Sequence, residues 1–150
     1  MNKYKILFVD DEEIVRQALR RALALAPEDI SARHHLSLVY MARGEQEAAV
    51  RELERILVIK PDNLSAQLDL AILSLSRGEF ETALNRLDTV LQKDTNNPRA
   101  RFYHAVVLDG LERKNEAREI LEILARETSG KYTERARRYL EERKSGQFAT

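Results

Sequence analysis

At 150 residues with 43% hydrophobic content, the chain has the size and apolar content of one packed domain rather than of a disordered tail. Lys plus Arg and Asp plus Glu both number 25, so a net charge of zero supplies no global field to draw in nucleic acid or an anionic membrane. The absence of Cys removes disulfide frameworks and thiolate metal sites, and the 5 Gly and 3 Pro are few for a turn-rich β protein, which points to an all-α class.

The first predicted element lies at the N-terminus. Ile6, Leu7, Phe8 and Val9 run straight into Asp10, Asp11, Glu12 and Glu13, the pattern of a buried strand ending in carboxylates. The apolar run is too short for a secretory core or a membrane span, so the chain reads as soluble and cytoplasmic, without membrane insertion. Residues 4–23 resemble the first strand and first helix of the receiver domain of two-component response regulators. That resemblance implies a phosphorylation switch with Asp10 and Asp11 as metal ligands. Two adjacent carboxylates do not complete an octahedral oxygen site, however. The acceptor strand is also missing, since Asp62 falls in a Pro-Asp-Asn turn and Asp69 on a helix. The residues favour a different role: Asp10 and Asp11 cap the helix that follows, with Glu12 and Glu13 in its first turn. Residues 1–10 are then a receiver-like or extended segment, and 11–29 form a half-repeat helix.

From Ile30 onward the sequence repeats itself every 34 residues. Ala32, Ala66 and Ala100 fall in one column, Ala49, Ala83 and Ala117 in another, and Leu53, Leu87 and Leu121 in a third. Arg43-Gly44-Glu45 matches Arg77-Gly78-Glu79. Each unit reads as a helix, a tight turn suited to glycine, and a second helix. Small residues pair where the two helices approach, as with Ser37 and Ala49, or Ala71 and Ala83. The unit resembles the tetratricopeptide repeat, a 34-residue helical hairpin, on Leu36, Ser37, Tyr40, Ala49, Leu53 and Pro61 of the first unit and their counterparts in the others. The large aromatic near the start of each first helix is replaced by Arg33, Gln67 and Arg101. By this register 30–63, 64–97 and 98–130 are three repeats. Val15, Leu19 and Ala22 align with Ala49, Leu53 and Ile56, which makes 11–29 the second helix of a preceding unit. Residues 131–145 form a capping helix with Ala136, Tyr139 and Leu140 on its apolar side, and 146–150 a tail.

The expected architecture is therefore an all-α, right-handed superhelix of helical hairpins with a short extended N-terminal segment. Nothing points to an enzyme or to a cofactor: there is no phosphate loop, G-x-S-x-G or H-E-x-x-H. His34 and His35 are neighbours about 100° apart on a helix and do not chelate one ion, and no metal is expected beyond the Asp10 and Asp11 alternative. Arg135, Arg137, Arg138, Arg143 and Lys144 interleave with Glu134, Glu141 and Glu142, a solvated helix face rather than a nucleic-acid surface.

Taken with helical spacing, the family resemblance implies a concave peptide-binding groove. Its residues are His34, Leu38 and Met41 in the first unit, Leu68, Asp69, Ile72 and Leu75 in the second, and Phe102, Tyr103, Val106 and Asp109 in the third. That set is mostly apolar and suits the hydrophobic face of a protein helix or peptide. The function expected is a non-enzymatic protein-protein interaction adaptor. The competing classes are a two-component-type signalling protein from a receiver fusion and a self-assembling scaffold. Residues 3–9 either pack along the chain's own repeats or enter a neighbour's groove to make a homodimer, and sequence leaves both open.

Overall fold

The structure, a computed structural model, describes residues 3–127 and 129–146, with side chains from residue 11 onward. The described residues form eight α-helices and no strand: α1 Lys3–Leu25, α2 Ile30–Ala42, α3 Gln46–Ile59, α4 Leu64–Ser76, α5 Phe80–Lys93, α6 Pro98–Gly110, α7 Lys114–Ala125 and α8 Lys131–Gly146. Helices α2, α4 and α6 begin 34 residues apart, at Ile30, Leu64 and Pro98.

The N-terminal segment departs from expectation. Residues 3–9 are neither extended nor a strand; their backbone belongs to α1, which runs unbroken to Leu25. Asp10 and Asp11 consequently lie inside the helix and do not cap it. Extending an existing helix adds one hydrogen bond per residue fixed, without a new nucleation cost. A lone strand would need an edge to pair with, and the described chain provides none. The receiver resemblance therefore lacks the strand on which it rested.

The true caps follow the repeat. Oδ1 of Asp29, Asn63 and Asn97, each 34 residues apart, accepts from the backbone N–H of Ala32, Ala66 and Ala100 at 2.9 Å in every case. Each caps an otherwise unsatisfied donor at the start of α2, α4 or α6. The turns within the helix pairs repeat as well. Backbone N–H groups of Glu45, Glu79 and Arg113 donate to the carbonyls of Tyr40, Ser74 and Leu108 at 2.9 Å. This is the bonding of a Schellman stop, which requires a left-handed residue just before the donor. Gly44 and Gly78 supply it at φ 74°, and in the third turn Glu112 does so at φ 60°.

The chain divides into two compact units, 1–66 and 67–150. In the first, α2 packs against α1 and α3, burying Leu36, Ser37 and Tyr40 from α2 with Ala49, Leu53 and Ile56 from α3. The hydroxyl of Tyr40 accepts from Arg20 Nη2 at 2.8 Å, tying α2 to α1. In the second, Leu68 and Ala71 of α4 form one core with Ala83, Leu87 and Val90 of α5 and Ala100 and Val107 of α6. Phe102, Ala105 and Leu108 of α6 form another with Ala117, Leu121 and Leu124 of α7 and Ala136 of α8.

Of the polar residues near the start of the first helices, Arg33 and Gln67 have partners on the second helices. Arg33 pairs with Glu52 at 2.8 Å and Gln67 accepts from Arg86 at 2.9 Å, both 19 positions on. That position in the third unit is Ile120, and Arg101 turns instead to Glu127 at 2.5 Å.

Candidate functional site

Two open surfaces stand out, one in each unit. The first is a groove of about 400 Å³ between α1 and α2, lined by Glu12, Val15 and Leu19 of α1 and His35, Leu38, Val39 and Ala42 of α2. Apolar side chains dominate it, and Val15 and Leu38 remain 48% and 40% exposed. The repeat register explains the opening. Ala49, Leu53 and Ile56 of α3 are fully buried, whereas their register counterparts on α1 are an exposed Val15, a half-buried Leu19 and an exposed Ala22. The corresponding face of α3 is buried, whereas within the first unit no described helix covers it on α1.

The second surface is a cleft of about 250 Å³ between α6 and α8, lined by Phe102, Tyr103, Arg135, Arg138, Tyr139 and Glu142. Phe102 meets Tyr103 edge-on at 5.4 Å between centroids and Tyr139 at 6.2 Å. Asp109, at the edge of this cluster, accepts from the Tyr139 hydroxyl at 2.6 Å and pairs with Arg143. Burial, then the bond to Asp109, pushes the Tyr139 phenol above its ordinary value, because both penalise the phenolate.

The eleven predicted groove residues differ in burial and in what they touch within their own units. Leu38 lines the first groove and Phe102 and Tyr103 the second cleft; His34 and Met41 sit half-buried on α2 outside that lining. Ile72 and Leu75 are half-buried against the core around α5, and Val106 against the core around α7. Four residues are buried, so they present little surface to a ligand. Leu68 and Phe102 are core side chains, Asp69 is fully buried and held by Arg99 at 2.5 Å, and Asp109 is committed to Tyr139 and Arg143. Helical spacing places residues on a face, but it does not say how deeply the next helix covers that face.

The acidic stretch of α1 forms no metal centre among the described residues, where no group of three ligating side chains converges. Glu13 instead bonds Arg16 and Gln17; the Arg16 hydrogen bond, then that from Gln17, lowers its carboxyl below the usual range. The Asp10 side chain, one of the two suggested ligands, lies outside the described residues. Among them no helix is long and apolar enough to cross a membrane.

Sequence reasoning missed Glu12, Val15, Leu19, His35, Val39 and Ala42 as groove lining and Arg135, Arg138, Tyr139 and Glu142 as cleft lining, and it did not place α8 in the repeat register. Tyr132, Ala136 and Tyr139 repeat the spacing of Arg33, Ser37 and Tyr40, and Ala136 is fully buried like Ser37. The offset from the third unit is 31 residues rather than 34, which hid α8 from a fixed-period comparison.

Comparison with known proteins agrees with this architecture. Residues 74–137 match the family described as Tetratricopeptide repeat. No curated protein matches the sequence. Among solved structures, the chain is similar to MamA, with a TM-score of 0.67 at 20% identity over 79% of this chain and 69% of that one. A tetratricopeptide repeat protein from Parabacteroides merdae gives 0.72 at 20% identity, over 77% of this chain but 45% of the other. PilF of Pseudomonas aeruginosa gives 0.68 at 23% identity, over 82% of this chain and 56% of that one. Identities this low carry the fold and not the activity. The chain thus has the tetratricopeptide-repeat fold, and its 74–137 stretch matches that family in sequence.

Proposed function

We propose that this protein is a non-enzymatic protein-protein interaction module whose α1/α2 groove accepts one face of an amphipathic helix from a partner. The supporting observation is the uncovered α1 face, where side chains in the register of a fully buried column stand open beside an exposed Leu38. Exposed apolar surface concentrated in a groove favours a partner that removes it from water, and a helix presenting residues at i, i+3 and i+4 fits a groove between two helices.

The test is affinity capture with the immobilised chain, comparing wild type with Leu38→Glu and Val15→Glu. Both sites are exposed enough to take a charge without unfolding the unit, which circular dichroism checks. Partners held by wild type should be lost by both variants, and a peptide from a captured partner should bind them at least about tenfold more weakly, the cost of leaving apolar contacts unmade around a charge. Equal retention by both variants sinks the groove assignment.

A further inference from the structure

The basic residues of α8 are not equivalent. In the second unit Arg99, Arg101, Arg137 and Arg143 each face a carboxylate. Arg135 is held differently. Its guanidinium stacks over the rings of Tyr132 at 5.5 Å and Phe102 at 5.9 Å, and Nη1 donates to the Tyr103 hydroxyl at 3.1 Å. These contacts fix the group without neutralising it. A guanidinium has five donors, and the phenol takes one of them. Arg138, one turn further along α8, is exposed in the same cleft, whose wall is the edge-packed set Phe102, Tyr103 and Tyr139. Glu142 is the one carboxylate in the lining.

From this juxtaposition of two arginines and an aromatic wall, we infer that the α6/α8 cleft is a second docking surface, one that takes an acidic peptide segment carrying a large apolar side chain beside its carboxylates. The charge decides the partner class. Arg135, pre-oriented on ring faces, offers its remaining N–H groups to a carboxylate in paired geometry, and the low conformational freedom of a stacked guanidinium reduces the ordering cost of binding. Tyr103 and Tyr139, half-buried in the cleft with Phe102 packed against both, supply the contact for the apolar side chain. This surface lies wholly in the second unit and does not depend on the α1/α2 groove.

The experiment is fluorescence anisotropy of the full chain with a labelled acetyl-Gly-Phe-Asp-Glu-Glu-Gly-amide peptide. Saturable binding that weakens as salt is raised is expected, with Arg135→Gln plus Arg138→Gln weakening it at least about tenfold. Glu142→Gln should tighten it severalfold by removing the cleft's own carboxylate, whereas Leu38→Glu in the first unit should leave it unchanged. Unaltered circular dichroism keeps the comparison clean, because both arginines are exposed. Equal binding of the Asn/Gln form of the peptide, or unchanged affinity in the double arginine variant, overturns the proposal. Tighter binding of a single-stranded oligonucleotide than of the acidic peptide also overturns it and assigns the arginines to nucleic acid.

Discussion

Glu112 is the residue most at odds with its own backbone. It occupies the turn position filled by Gly44 and Gly78 and adopts the same left-handed conformation, which an L residue with a Cβ disfavours by about 1 kcal/mol. Glu112→Gly should therefore raise stability by roughly that amount in urea unfolding, net of the entropy glycine adds to the unfolded chain. Gly78→Ala should lower it by about 1 kcal/mol although its Cβ would meet nothing within 4 Å, because the penalty is conformational and not steric. Gly110 is the opposite case. A Cβ there would stand 2.4 Å from Cε1 of Phe80, so Gly110→Ala must push α6 off the start of α5 or displace the ring, at about 1–3 kcal/mol. Tyr139 adds a pH dependence. Its phenol is held above the ordinary value of 10.0, so the associated stability is fully present below that pH and is lost as pH rises through the folded-state value. Tyr139→Phe should flatten the alkaline fall in a pH series of thermal melts; an unchanged slope would show that another group governs it.

At the scale of the element, each first helix has a polar side chain closing its N-terminus, and the three caps sit in one column of the repeat. Asn63→Ala or Asn97→Ala should each cost about 1 kcal/mol, with little effect from the other cap on its value, since the two caps share no hydrogen-bond partner. The caps, turns and buried small residues were legible in the sequence to different degrees. The 34-residue register located both glycine turns and the alanine seams, because those positions tolerate few residue types. It did not reveal the cap column, although Asp29, Asn63 and Asn97 were there to be aligned. For α1 it gave the wrong element over residues 3–9, because a run of four apolar residues has no period of its own and reads equally as strand or helix.

For the molecule as a whole, the proposed docking surface is defined by what remains uncovered. The α1/α2 groove exists because a helix with the register of a buried second helix has one face open within its unit, and Leu38→Glu should abolish partner capture there while leaving the fold intact. The sequence by itself determined the helical class, the hairpin period and the apolar columns, since these follow from local propensity, glycine turns and periodic burial, all written in residue order. Only the tertiary structure decided which apolar and charged positions are available. It buried Leu68 and Phe102, tied Asp69 to Arg99 and Asp109 to Tyr139, and left Val15, Leu38 and Arg135 facing solvent. The physical reason is that helical periodicity fixes the direction of a side chain from its own axis, whereas its burial depends on neighbours that the same period does not place.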